Sequence, residues 1–380
     1  MRIPPSRGST PGRVQTVVMF ALVTVCVGAL IIGQTRHGYF DFRLFREAGD
    51  AVLDGRSPYP SSTSREVREN AAFVYPLPAA WAFVPFALLP LELSEYLYLG
   101  LSILAVLCGL RMLRVSDPVV YACTILSSSF IHSLQLGTVN ALLFLGICAV
   151  WRFRHDAVVL GVVSALLIVM KLFLAPLLVF VLFRSARAVA ICAGVVAVFL
   201  VASLLGGFRP VAYVTLLRAL ADHEALHSMS LAATLHELGW SSTLARGAAL
   251  VIPMVLIAIG VLAHLRGADE RLLYATCLVA SIAAPPIVWN HYFFLLFVPA
   301  ALAARPRLAA LGAFVASWVI TWVAFDAVNV RSPLAPLIPP HGPKIAMQLL
   351  PMGVLLCLYS WWAVQRRDSS SALSQTRIRR

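Results

Sequence analysis

Lys171 interrupts the apolar run GVVSALLIVMKLFLAP, and Asp41 opens DFRLFREAGDAVLDGRSPY, Asp41 to Tyr59, just after the first hydrophobic segment. A lysine at membrane depth is costly and is a functional candidate by default. Its bland alternative is a cation that snorkels or pairs in a polar pocket. Asp41 stands where a helix begins, so it either caps that helix or does chemistry. His291, in APPIVWNHY, can bind a phosphate or steer a hydroxyl, while Trp289 and Tyr292 beside it read as interfacial belt residues. Asn140, in LQLGTVN, is either a loop tip or a sugar ligand. HEALH, His223 to His227, matches the zinc-protease pattern H-E-x-x-H, with His236 or Glu237 as a third ligand. Such short matches arise by chance, and no flanking segment reads as a protease scaffold. No glycine-rich phosphate loop, Ser-His-Asp order or CxxC pair is present.

Composition sets the class. The chain of 380 residues is 60% hydrophobic with 12% charged residues and a mean hydropathy of +0.85, which identifies an all-α polytopic membrane protein. A net charge of +13 suggests nucleic acid, but the cations sit in short clusters between apolar runs, where they set topology, and no nucleic-acid partner is expected. All seven cysteines lie inside apolar segments and read as small core residues.

The elements that must position these residues number about 11–13 hydrophobic segments. Residues 1–13 read as a cytoplasmic N-terminus, 14–34 as a retained first span and 366–380 as a cytoplasmic tail, so that 14–365 form one transmembrane domain. The external loops are 35–72, 206–245 and 328–344. After Asp41 the first loop carries an amphipathic helix, with Leu44, Phe45, Ala48, Ala51 and Val52 on one face and Arg43, Arg46, Glu47 and Asp50 on the other. Gly55 and Pro58 end it, and it is expected to lie on the membrane surface with its apolar face down. The proline-rich segment 73–90 reads as broken or partly re-entrant, which keeps Arg111 and Arg114 inside. The spacing then predicts segments over 94–113, 117–133, 139–151, 187–206, 246–264, 271–284, 291–304, 308–327 and 345–364. Residues 157–170 and 172–183 have arginine clusters at both ends but are too short for two crossings. They read as a hairpin of short helices with Lys171 at its tip, one long tilted helix being the competing topology.

In order and spacing, several motifs resemble glycosyltransferase family 87, the polyprenol-phosphate-mannose-dependent mannosyltransferases of C-type multi-pass fold. They are DFRLFREAGDAVLDGRSPY, VYPLP with Pro85 and Leu89–Pro90, GTVN, GVVSALLIVMKLFLAP, MSLAATLHEL and PPIVWNHYFFLLFVP, covering roughly 35–305. Two positions depart from the pattern: Gly137–Thr138 where the family has Gly-Gln, and Ser228–Met229 where it has Asn-Gln before the serine.

The resemblance implies a transferase of the plasma (inner) membrane with its site on the extracytoplasmic side. Asp41 would be the general base of an inverting displacement, moving a hexose, by family default mannose, from a polyprenyl phosphate to a glycolipid or polysaccharide. Lys171 and His291, backed by Arg36, Arg43 and Asn140, would hold the donor's phosphate and sugar. Glu47, Asp50, Tyr75 and Trp289 would meet the acceptor. The scheme needs no metal or other cofactor. The competing classes are a membrane zinc protease built on HEALH, and a lipid or solute transporter with Lys171 and Asp41 as pathway charges; a transporter often carries inverted repeats, and none is apparent.

Overall fold

The computed structural model describes residues 38–303 and 308–328, with parts of 344–354. The expected first span 14–34, Arg36, the cytoplasmic N-terminus and the tail 366–380 lie outside the described residues, as do most of 328–344 and 345–364. The described chain is helical throughout, without a strand. Leu91–Met112, Ala186–Leu205 and Ser242–Leu265 are each long and apolar enough to cross a bilayer. The Ala186–Leu205 and Ser242–Leu265 helices leave most of their apolar side chains uncovered, as a lipid-facing surface requires. This is a polytopic helical membrane protein.

The remaining apolar helices are short. The segment 117–133 is not one helix: Pro118–Ile125 and Ser128–Leu136 meet at a bend of 47°, where the Ser127 hydroxyl accepts from Phe130 N and starts a new helix. Residues 73–90 form a helix only over Leu77–Ala87, opened by the Pro76–Pro78 stretch and carrying Pro85 inside it.

The predicted hairpin is present. Ala157–Met170 ends where Lys171 takes an extended conformation, a turn of 3₁₀ helix follows at Leu172–Leu174, and Leu177–Arg184 returns. Glu270 fixes its open end, accepting from Arg154 Nε at 2.6 Å and pairing with Arg184 Nη1 at 2.8 Å. The first leg starts and the second finishes at one carboxylate, so Lys171 stands at the far end. Three arginine-bearing loops, 151–156, 184–187 and 264–271, thereby meet at one end of the bundle.

At the other end lies the first-loop helix, Phe40–Leu53. Its apolar face is not laid against lipid as the sequence suggests; Phe42, Phe45, Ala48, Gly49 and Ala51 are buried against Leu77–Ala87. Phe45 stacks on Phe83 at 4.5 Å, and Phe42 packs against Tyr98 at 4.8 Å, so neighbouring aromatic rings cover the stripe a membrane would otherwise cover.

The hairpin's first leg packs on Ala186–Leu205 through Gly161, where a Cβ would fall 2.6 Å from the Ala188 carbonyl oxygen and 2.8 Å from Ile191 Cβ. Gly161→Ala is therefore expected to destabilise the protein by about 1–3 kcal/mol through overpacking, read as a lower unfolding midpoint in detergent. An unchanged midpoint would mean that the two helices separate freely.

Candidate active site

A cavity of about 690 Å³ opens where the first-loop helix, the strip 70–75, the hairpin tip and the turn 284–292 converge. Leu217, Leu220 and Ala221 of the Pro210–Glu224 helix complete its wall. Backbone pairing ties the turn 284–292 to the loop that follows this helix, since Met229 N donates to Val288 O at 2.7 Å.

Asp41 lines this cavity from the first turn of its helix. It is not the cap. That position belongs to Tyr39, left-handed at φ 50°, with no side-chain bond to the helix end. In the first turn the carboxylate is favoured by the helix dipole. Phe42, buried beside it, fixes the turn against Gly137, whose φ is 68° and where an added Cβ would fall 2.6 Å from Phe42 Cβ, leaving no room for a side chain. Arg43 Nε donates to Glu95 Oε1 at 2.9 Å on the flank of the helix. Burial pushes the Asp41 carboxyl up to about 6, against the opposing pull of the Lys171 charge.

Lys171 is buried just behind the cavity wall. Its Nζ lies 3.8 Å from the Tyr292 ring centre, 5.2 Å from Tyr75 and 5.4 Å from Phe173, three rings that line the cavity. No hydrogen-bond partner reaches it among the described residues. Asp41 is near enough to act on it electrostatically but forms no ion pair with it. A cation held by aromatic faces alone keeps its hydrogen-bonding capacity for an anion.

His291, Trp289 and Tyr75 also line the cavity. His291 is buried beside His132, ring centres 5.7 Å apart, with no partner for Nδ1. Asn140 sits one layer behind: its Nδ2 donates to the His291 carbonyl at 2.8 Å, fixing the turn. Ser129 supports the neighbouring residue, its hydroxyl donating to Asn290 Oδ1 at 3.0 Å. Arg43, Glu47 and Asp50 stand away from the cavity lining, Arg43 paired with Glu95 and Asp50 with Arg46. Arg36 lies outside the described residues.

The HEALH side chains do not converge. His223 Nε2 faces the Arg68 carbonyl at 2.9 Å, and His227 Nδ1 faces the His223 carbonyl at 3.0 Å. No group of three metal-capable side chains exists among the described residues. Sequence reasoning missed His132 and the part Phe173 and Tyr292 play around the lysine; a histidine inside the apolar segment 117–133 was the available signal for the first.

The comparisons with known proteins fit this arrangement. No curated protein and no solved structure matches the chain. A family model does match, that of glycosyltransferase family 87, over residues 73–286. That stretch holds the strip 73–75, the hairpin with Lys171 and the start of the 284–292 turn, while Asp41 precedes it. Covering more than half of the chain, the match shows that the protein belongs to glycosyltransferase family 87 and is a membrane glycosyltransferase.

Proposed function

We propose that the protein moves a hexose, mannose by the resemblance, from a polyprenyl phosphate to a glycolipid or polysaccharide acceptor, with inversion, on the extracytoplasmic face of the plasma membrane. The observation that carries this reading is a carboxylate and a hydrogen-bond-starved ammonium held at one largely apolar cavity. An acceptor hydroxyl loses its proton to Asp41 as its oxygen attacks the anomeric carbon, and the bond from that carbon to the phosphate oxygen breaks. The leaving phosphate gains negative charge, and Lys171 swings on its flexible stem from the rings to meet it. His291 supports the same phosphate, Asn140 keeps that turn in place, and Tyr75 and Trp289 offer faces to a sugar ring. The apolar remainder of the wall suits a polyprenyl chain. Arg43 and Asp50 fit this scheme through their ion pairs on the flank of the helix, and Glu47 is an exposed residue outside the lining.

Purified protein given radiolabelled polyprenyl-phosphate-mannose and a membrane glycolipid extract tests the reading. The wild type is expected to transfer label, and Asp41→Asn to lose about 10²–10⁴ of the rate while remaining folded. Equal transfer by the two would remove Asp41 from the chemistry, and no transfer by either would sink the donor assignment. Because the active form is the carboxylate and burial raises the carboxyl to about 6, kcat/KM is expected to fall about tenfold per pH unit below that value. A profile flat from about pH 4.5 to about 8 would exclude Asp41 as the titrating base.

Lys171→Met keeps the length of the stem and removes the charge. It is expected to lower kcat/KM roughly 10²–10³-fold and leave the unfolding midpoint unchanged or higher, because an unpaired buried charge is lost. A variant with wild-type kcat/KM would place phosphate neutralisation elsewhere.

A further inference from the structure

A second cavity, of about 680 Å³, lies beside the first and contains none of the residues assigned above. Its walls are the loop GRSPYPS, residues 55–61, and the turn GGFR, residues 206–209, with Trp81 and Tyr213. The two charged side chains that line it are Arg56 and Arg209; no acid does. Arg56 is paired only with Asp54, at 2.7 Å, both side chains more than 60% exposed. Such a surface pair is weak and yields readily to a better anion. Arg209 has no ion pair among the described residues. Behind the arginines is an aromatic floor, with Tyr59 5.7 Å from Phe208 and 5.2 Å from Tyr213 between ring centres.

The depth of this cavity follows from the chain. Ala186–Leu205 is a membrane-crossing helix, and the next four residues, Gly206 to Arg209, form the cavity wall. Leu205 and Val211 bracket that turn and are 86% and 82% exposed. Two bare aliphatic side chains at the mouth of a span belong against acyl chains, which puts Arg209 at the level of lipid headgroups.

We infer that this second cavity binds the phosphodiester headgroup of an anionic membrane lipid. Arg56 and Arg209 take the phosphate oxygens through their planar guanidinium forks, and the Ser57 and Ser61 hydroxyls and Trp81 face the rest of the headgroup. The bound lipid also braces the first cavity. The Tyr59 hydroxyl donates to the Tyr75 carbonyl at 2.9 Å, and the Tyr213 hydroxyl donates to the Val74 carbonyl at 2.9 Å. The strip 73–75 lines the first cavity and is thus hydrogen-bonded to two aromatic residues that line the second.

Binding is read without any transfer reaction, so this proposal and the donor assignment fail separately. The full-length protein in maltoside detergent is titrated with dioctanoyl phosphatidylglycerol and followed by tryptophan fluorescence and native mass spectrometry. Saturable binding is expected, with dioctanoyl phosphatidylcholine markedly weaker because its choline offsets the phosphate charge. Arg56→Gln and Arg209→Gln are each expected to weaken phosphatidylglycerol binding about fivefold, and together about 25-fold. Both side chains are exposed, so the unfolding midpoint should stay where it is. Wild-type affinity in the double variant, or equal affinity for the two lipids, would overturn the assignment. Displacement of the lipid by inorganic phosphate at the same concentration would make this a free-phosphate site and overturn its lipid character.

Discussion

Lys171 is held by three aromatic rings and no hydrogen-bond acceptor, and that arrangement is costly. Cation–π contact contributes about 2 kcal/mol per well-placed desolvated ring, while taking an ammonium out of water costs several kcal/mol even after relaxation. The lysine stays buried because the hairpin leaves it little choice. Its two legs are pinned at the opposite end to the single carboxylate of Glu270, and Gly161 lets the first leg press onto the neighbouring span. The strain of an unsatisfied cation is thereby stored where an anionic phosphate would relieve it.

The two ends of the bundle solve opposite problems. At the end holding Glu270, arginines find carboxylates and the charges are spent on topology and anchoring. At the end holding Asp41, polar groups are fixed from behind by hydrogen bonds to backbone: Asn140 to the His291 carbonyl, Tyr59 to Tyr75 and Tyr213 to Val74. Side-chain groups at the first cavity are left with unused capacity, as at Lys171 Nζ and His291 Nδ1. Rigid backbone with unsatisfied side chains is the arrangement that preorganised electrostatics requires.

Much of this was legible in the sequence because it rests on local rules. Arginine spacing revealed the hairpin, since clusters on both sides of 27 residues forbid two full spans. Periodicity found the first-loop helix and placed Phe45, Ala48 and Ala51 on its buried face. The same periodicity put Leu44 on the membrane-facing apolar side although it lines the cavity, and it left out Phe42 and Gly49, which are buried. A helical wheel divides apolar from polar; it does not say whether the apolar side meets lipid or the rings of Phe83 and Tyr98. For the same reason Glu47 and Asp50 were expected to meet the acceptor beside Asp41, whereas of the three only Asp41 lines the cavity. The bend at Leu126–Ser127 was hidden because a serine inside an apolar run reads as tolerated polarity, while its hydroxyl here starts a second helix.

The family match begins at residue 73, so the proposed base and the proposed phosphate-binding cation belong to different parts of the chain. Lys171, His291's turn and the strip 73–75 are built by the multi-pass bundle itself. Asp41 comes on a separate helix that is joined to the bundle by Phe42 and Phe45 against Phe83, Phe86 and Tyr98. An inverting displacement needs base, anomeric carbon and leaving oxygen nearly in line, and a misplacement of about 1 Å costs on the order of 10² in rate. Aromatic rings suit that joint. They bury large areas with few rotatable bonds, and edge-to-face and stacked contacts fix angle as well as distance. Gly137 closes the remaining freedom by meeting Phe42 from below. The position of the proposed base is therefore set by apolar packing that begins at the very next residue, Phe42.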